Sequence, residues 1–385
     1  MSGLVEAATQ TDGERPYFLA FVPIWGQNSR MQSYSVGRQL PHLYLVPPSE
    51  ATVAAPRLRA PQVLSEAVPC SIETARQISA LFRDAYGDKY HRTVTNNPEW
   101  IQEEINSDRW IACIVADSTN TVVAHGALLN NGGNLRLARV LVAESARGLG
   151  LASIITSAML EEADRRGRAG IVSPVITESV TTHCGTQKIF AENDFKPLGL
   201  LVSKFADYFG VGHRESVLLM GRAVSSGVDA IYVPSSMAPV AKEILGWHQL
   251  LTDVRDEASA CGRTWHCEGR SSTTATFDAH MSILRVAIAG TPNLEDYRAK
   301  RAEGEQLSPE FTELKIEVAS PSGCAVALEA QRDGFVFGGI EPHAEGVWLI
   351  LQKSTHDVAE RASALSLASR EAEYIREALS KKLAS

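Results

Sequence analysis

Six residues with the chemistry of a phosphate-binding loop lie between a predicted strand and a predicted helix, and they are Arg147-Gly148-Leu149-Gly150-Leu151-Ala152. A helix N-terminus has unpaired backbone N–H groups and a partial positive charge, and both stabilise an anion. Glycines let the backbone approach a phosphate closely, and an arginine adds a forked donor. The loop is therefore predicted to hold a phosphate-bearing ligand.

The loop differs from two common nucleotide-binding motifs. It lacks the lysine and hydroxyl of a Walker A loop, and it lacks the full G-x-G-x-x-G spacing of a dinucleotide fold. Taken alone, the six residues leave open a simpler interpretation, a glycine-rich turn between a strand and a helix. The neighbouring elements are needed to choose between the two.

The elements that position the loop follow a definite order. One helix begins after Ser71 and a second at Asn97-Pro98, and three strands then lead to the loop. A long helix follows, which is predicted to end at Gly167 and Gly170. A strand, a short helix from Gly185 to Asn193 and a final strand complete the region. The pattern predicts a mixed α/β (α+β) fold, with a central sheet flanked by helices.

This order resembles the GNAT superfamily of acyl-CoA-dependent N-acyltransferases over about residues 65–222. Arg147, Gly150 and Ala152 match the family pattern Arg/Gln-x-x-Gly-x-Gly/Ala. The resemblance implies that the loop's N–H groups cradle the pyrophosphate of acetyl-CoA or another acyl-CoA. It also implies that the preceding strand splays from its neighbour and pairs with pantetheine through Leu141-Val142-Ala143.

The usual catalytic tyrosine of the family is missing. Family members often use a tyrosine on the helix after the next strand to protonate the leaving thiolate, and a glutamate acting through water as the base. At the tyrosine position this chain has Phe190, five residues before Phe195. Glu178, His183 and Cys184 remain as catalytic candidates nearby.

Each candidate also has a structural interpretation. His183 titrates in the useful pH range, and it suits a helix-capping or hydrogen-bonded role equally well. Cys184 is a candidate nucleophile, although a small buried thiol is the favoured interpretation. Glu178 is a candidate base, although a solvated loop carboxylate is favoured.

Two tyrosines at the end of the first helix are candidates for the acceptor site. In this fold that region borders the acceptor pocket, so Tyr86 and Tyr90 are predicted to line it. The alternative is that they are half-buried aromatic residues at a helix end. The predicted acceptor is a small-molecule amine that attacks the thioester directly, which requires mainly positioning and polarisation of the carbonyl.

Composition limits the function classes. The 385 residues carry a net charge of −8, which argues against a large nucleic-acid interface. The six cysteines are scattered, as is typical of reduced thiols in a cytoplasmic protein. No apolar run of about 18 residues occurs, and the first residues lack signal-peptide features, so no membrane contact is predicted.

The chain divides into three predicted segments, an irregular extension at 1–64, a GNAT domain at 65–222 and a degenerate GNAT-like domain at 223–385. The last includes a predicted C-terminal helix from Val358 to Leu383. It has Ala289-Gly290-Thr291-Pro292 where a phosphate loop would stand, so one CoA per chain is expected. No zinc site is predicted at Cys261, His266 and Cys267, because a second cluster at standard spacing is missing.

These observations favour an acyl-CoA-dependent N-acyltransferase whose second half shapes the acceptor site or a homodimer contact. One alternative is a non-catalytic acyl-CoA-binding regulatory protein, which the missing tyrosine favours. Another is an aminoacyl transferase of the same fold that uses charged tRNA, and the acidic balance weighs against it.

Overall fold

A computed structural model describes residues 58–87, 93–130, 134–168, 174–207, 212–222, 228–256, 271–343 and 346–382. The strands in this part of the chain are β1 (Gln62–Leu64), β2 (Trp110–Ala116), β3 (Val122–Asn130), β4 (Leu135–Val142), β5 (Val175–Val180), β6 (Lys196–Phe205), β7 (Glu215–Arg222), β8 (Ala230–Tyr232), β9 (Asp253–Arg255), β10 (Ser271–Asp278), β11 (Ile283–Gly290), β12 (Phe311–Glu317), β13 (Val336–His343) and β14 (Gly346–Ser354).

The helices in the same residues are α1 (Ile72–Tyr86), α2 (Pro98–Asn106), α3 (Leu151–Arg168), α4 (Gly185–Ala191), α5 (Ala238–Trp247), α6 (Leu294–Leu307), α7 (Pro321–Arg332), α8 (Val358–Ser363) and α9 (Arg370–Lys382). Two of them begin as their local sequence predicts. The Ser71 side chain accepts a hydrogen bond from the backbone N–H of Thr74, and Asn97 caps α2 in the same way through Trp100. Capping therefore fixes where α1 and α2 start.

A mixed sheet of 12 strands, in the order β1-β2-β3-β4-β5-β7-β6-β13-β14-β12-β11-β10, forms the centre of the molecule. Strands β4 and β5 are parallel and are joined through α3, whereas β5, β7 and β6 pair antiparallel. Helix α3 packs closely on β3, where a Cβ at Gly126 would lie 2.5 Å from Ile155. The predicted mixed sheet flanked by helices is confirmed.

The second half repeats the strand order of the first. Strands β11 and β12 are parallel and joined through α6, and β12, β14 and β13 pair antiparallel. The two halves meet where β6 pairs with β13 at Gly199 and Gly339. A Cβ at Gly199 would lie 2.2 Å from the carbonyl oxygen of Gly338, so the junction requires glycine. That this half is a GNAT-like domain stays a prediction.

Several boundaries differ from those predicted. Strand β1 pairs with β2, although residues up to 64 were predicted to be irregular. The predicted C-terminal helix is instead two helices, α8 and α9. Gly167 lies inside α3, while Gly170 and residues 1–57 lie outside the described part of the chain.

Strands β6 and β10 were missed. Strand β6 is buried on both faces, so it lacks the alternation of a half-buried strand, and it contains a proline and a glycine, which are uncommon inside strands. Strand β10 is polar and has no buried residue, so its sequence lacks the alternation of apolar and polar residues of a half-buried strand. Neither strand therefore carries the local pattern from which strands are predicted.

Candidate functional site

The predicted phosphate loop lies between β4 and α3 as an open glycine turn. Gly148 and Gly150 have φ angles of +80° and +73°, a conformation that favours glycine. The carbonyl of Gly150 accepts the first helical hydrogen bond, from the N–H of Ile154. A Cβ at either glycine would meet no atom within 4 Å, so a ligand can approach the backbone there.

The start of α3 is free of local negative charge. Its first turn, which begins with Leu151 and Ala152, contains no acidic side chain. Arg147 is partly exposed, and its guanidinium makes no hydrogen bond or ion pair with the described residues. Leu149 and Ile154 are also exposed, so two apolar side chains face solvent beside the loop.

Strands β4 and β5 diverge on the approach to the loop. The parallel ladder joins only two residue pairs, Leu135 with Val175 and Arg136 with Ile176. Beyond Arg136, β4 stays paired with β3 through Leu141 and Val142. The edge of β4 that faces β5 is therefore open along residues 137–142, as the resemblance implies. Ala143 follows directly and bonds to β3.

His183 lies at the start of α4 in a capping position. Its Nδ1 accepts a hydrogen bond of 3.1 Å from the N–H of Gly185, while its Nε2 is buried and has no hydrogen-bond partner in the part of the chain that the structure describes. Partial burial lowers the pKa of the imidazole. Cys184 is the N-cap residue of α4 and is half-buried, not fully buried as favoured. The geometry supports the capping interpretation of His183.

We expect His183→Ala to destabilise the fold by about 1 kcal/mol, because α4 loses its cap. Turnover should change less than about tenfold, because the hydrogen bond that the His183 ring makes with the described residues, through Nδ1, caps α4. Thermal unfolding and steady-state kinetics with acetyl-CoA measure the two effects. A loss of about 100-fold in turnover at unchanged acetyl-CoA affinity would instead show general acid–base catalysis by His183.

Phe190 and Tyr86 are both buried in the core. Phe190 on α4 packs against Phe195 with ring centroids 5.2 Å apart, so it offers no polar group to a leaving thiolate. Tyr86 is buried against Phe82 at the end of α1, which does not support the predicted pocket lining. Tyr90 lies outside the described residues.

Glu178 is buried on β5, so its interpretation as a solvated loop carboxylate is wrong. Its Oε1 contacts Arg136 Nη1 at 2.7 Å and Lys204 Nζ at 3.1 Å. Arg136 lies in the last pair of the β4–β5 ladder, and Glu178 lies two residues beyond its partner Ile176. The Arg136–Glu178 ion pair therefore crosses the fork between the two strands.

The Glu178 pair belongs to a closed ring of six alternating charges, three from each half of the chain. Going round, the ring contains Arg136, Glu178, Lys204, Glu313, Lys315 and Glu341. Lys204 Nζ lies 2.5 Å from Glu313, and Lys315 Nζ lies 2.8 Å from Glu341. We call this set the ion-pair ring; all of its members except Lys315 are buried.

Folding should become less favourable in acid because of Glu341. Burial alone would raise the pKa of this carboxyl, but Lys315 and Arg136 together lower it from 4.5 to about 2. A lowered pKa stabilises the fold above the unfolded value, and this contribution disappears as the pH falls from about 5 to about 2.

We therefore expect wild type to lose stability relative to Glu341→Gln as the medium is acidified. The difference between their free energies of unfolding should shrink by about 2 kcal/mol between pH 6 and pH 3. Urea unfolding at the two pH values measures it. An unchanged difference would show that Glu341 is not held ionised by its neighbours.

Glu215, at the start of β7, was missed by the sequence analysis. Its Oε1 accepts a hydrogen bond from the Thr182 hydroxyl at 2.9 Å, and its Oε2 is buried with no partner among the described residues. Burial raises the pKa of the carboxyl, partly offset by Thr182. Thr182 directly precedes His183, so Glu215 lies at the end of β5 towards which β4 and β5 diverge. The signal in the sequence that could have drawn attention to Glu215 is a charged residue at the start of a predicted buried strand, SVLLM.

Neither a metal site nor a membrane-spanning helix is present in the described residues. They contain no group of three or more side chains arranged to hold a metal ion. Cys261, His266 and Cys267 lie outside them. No described helix has the length and hydropathy needed to cross a membrane.

Comparison with known proteins finds a family match for part of the first half. Residues 75–178 match the acetyltransferase (GNAT) family model, which confirms the resemblance for this stretch. The match includes the glycine loop and Glu178 and ends before α4. No curated protein matches the sequence of the chain.

The solved structures that match the chain include three N-acetyltransferases of low sequence identity. The ribosomal-protein-S18-alanine N-acetyltransferase from Escherichia coli is 10% identical, and the match covers 42% of this chain and 92% of that one, with a TM-score of 0.34. Mutant forms of a spermidine/spermine N-acetyltransferase from Vibrio cholerae are 15% identical, with coverages of 43% and 94% and a TM-score of 0.33. The aminoglycoside 6'-N-acetyltransferase from Enterococcus faecium is 14% identical, with coverages of 43% and 96% and a TM-score of 0.33.

Proposed function

We propose that this chain, which carries a GNAT acetyltransferase domain at residues 75–178, transfers an acyl group from acyl-CoA to a small-molecule amine. The observation that carries the proposal is the divergence of β4 from β5 directly before an open glycine turn at the start of α3. The unpaired edge of β4 leads directly to the anion site at the start of α3, so one extended ligand can contact both.

The residues present suit an acyl-CoA. The N–H groups at the start of α3 and the free guanidinium of Arg147 suit a pyrophosphate, and no acidic side chain in that turn opposes it. The open edge of β4 at Leu141–Val142 suits the amide groups of pantetheine. When bound, acetyl-CoA would supply the activated thioester.

We assign to Glu215 the role of the general base that removes a proton from the acceptor amine. An amine must lose its proton to act as a nucleophile, and a base is most effective when its pKa lies near the working pH. Burial moves the pKa of Glu215 in that direction, and its Oε2 accepts no hydrogen bond from the described residues. Glu178 suits this role less well, because Arg136 and Lys204 already occupy it.

We expect Glu215→Gln to lower turnover by about 100-fold or more, because the amide cannot accept the proton. Acetyl-CoA affinity should stay within about threefold, since the pyrophosphate and pantetheine contacts are elsewhere. Steady-state kinetics and calorimetry measure the two quantities. Glu192→Gln, an exposed carboxylate just after α4, is the matched control. Equal turnover in the two variants would remove Glu215 from the mechanism.

A second candidate function is a non-catalytic acyl-CoA-binding module, favoured by the burial of Phe190 where the family tyrosine would be. Incubation of acetyl-CoA with a panel of small amines, followed by mass spectrometry of the products, separates the two. Acylated amine supports the transferase. Acetyl-CoA binding without any product supports the module, and failure to bind acetyl-CoA contradicts both.

A further inference from the structure

We propose that the ion-pair ring lets the second half of the chain set the opening between β4 and β5, making Glu341 a positioning residue for acyl-CoA. This inference rests on the proposed function, since it concerns the same opening. It assigns a task to a half of the chain that has no glycine loop of its own.

One guanidinium of the ring, that of Arg136, contacts both β5 and the second half directly at the point where β4 and β5 part. Arg136 donates from Nη1 to Glu178 on β5, at 2.7 Å, and from Nη2 to Glu341 on β13, at 3.1 Å. Arg136 itself lies on β4, in the last residue pair before the strands part. The separation of β4 and β5 is therefore tied to the position of β13.

Other contacts make this connection rigid. The second carboxylate oxygen of Glu341, Oε1, accepts a hydrogen bond of 3.0 Å from Asn134, just before β4. Lys204 on β6 holds Glu178 from the opposite side and links it to Glu313 of β12. Because the ring is closed, Arg136 and Glu178 cannot separate without displacing a buried charge from its partner.

Alternating buried charges fix the positions of their strands more strictly than apolar side chains of similar size would. Removing one charge leaves its two neighbours buried and incompletely paired, so the ring has one favoured geometry. Apolar side chains would tolerate sliding of β4 against β5. An opening of defined width is what a pantetheine arm between two strands requires.

Glu341→Gln tests the inference, because it keeps the size of the side chain and its contact with Asn134 while removing the charge. We expect acetyl-CoA to bind at least tenfold more weakly by calorimetry, and kcat at saturating acetyl-CoA to fall less than threefold. Glu310→Gln is the control, since Glu310 also pairs across the two halves, with Arg214, but has no contact with the ring. The control should bind acetyl-CoA as wild type does.

Combining Arg136→Gln with Glu341→Gln tests whether Glu341 acts on the β4–β5 opening through Arg136. If Glu341 acts through this guanidinium, the double variant should bind acetyl-CoA no more weakly than Arg136→Gln alone. Additive losses would overturn the route.

Hydrogen exchange in the ligand-free protein measures how firmly β4 and β5 are held at their point of divergence, without depending on acyl-CoA. We expect peptides covering residues 134–143 and 174–182 to exchange faster in Glu341→Gln than in wild type or Glu310→Gln. If Glu341→Gln does not fold, Lys315→Gln takes its place, because Lys315 lies at the partly exposed side of the ring. Unchanged exchange in a folded ring variant overturns the inference, whereas a wild type that fails to bind acetyl-CoA overturns only the proposed function.

Discussion

A Gly150→Glu variant is expected to bind acetyl-CoA at least about 100-fold more weakly than wild type while remaining folded. Gly150 has a φ of +73°, so any other residue there strains the turn by about 1–3 kcal/mol. The new carboxylate would also lie beside the first N–H groups of α3, where it would repel a pyrophosphate. No atom lies within 4 Å of the new Cβ, so the core is not disturbed.

Isothermal titration calorimetry measures the affinity, and Gly246→Glu provides the matched control. Gly246 is exposed on α5 and also has open space around its Cβ, so it accepts the same charge and size away from the loop. Wild-type affinity in Gly150→Glu would show that the loop does not hold the pyrophosphate. A loss of affinity in Gly246→Glu would show that the effect is only one of net charge.

The same titration should give one acetyl-CoA per wild-type chain. Strands β11 and β12 pair along six consecutive residues, from Ile283–Phe311 to Ile288–Ile316, so this strand pair is closed where the β4–β5 pair is open. A closed ladder leaves no free strand edge for pantetheine. A stoichiometry of two would mean that β11 and β12 separate on binding.

The features that sequence analysis located correctly are those with a local cause. Ser71 and Asn97 cap helices because of hydrogen bonds within three residues. The turn at Gly148 and Gly150 could be predicted because a positive φ favours glycine wherever it occurs. For the same reason the loop and the start of α3 were located correctly, whereas the opening of β4 was implied by the family resemblance alone.

The features that were missed depend on distant residues. Arg136 meets Glu178 and Glu341 across 42 and 205 positions, so nothing near Glu178 in the sequence indicates that it is buried and paired. The free oxygen of Glu215 likewise follows from the packing of β7 against β5 and β6. Pairings of this kind are set by topology, and a single sequence carries no direct record of them.

The second prediction with a large effect concerns a fragment of residues 58–222, which is expected to be insoluble or poorly ordered. Removing the second half exposes the edge of β6 that pairs with β13, and unpaired edges promote aggregation. It also removes Gln352, which accepts from the Val202 N–H and donates to the Leu200 carbonyl. Arg136 then loses Glu341, and Lys204 loses Glu313.

Loss of one partner from a buried ion pair costs about 3–5 kcal/mol, which is comparable with the stability of a whole domain. Expression of the fragment, followed by size-exclusion chromatography and circular dichroism, measures the outcome.

The full-length variant Gly199→Val tests the same junction without truncation, because its side chain would overlap the backbone of Gly338. It should unfold at a clearly lower temperature than wild type. A soluble, folded 58–222 fragment that acylates amines at the full-length rate would show that the first half needs neither the ring nor β13, and that the second half serves another purpose.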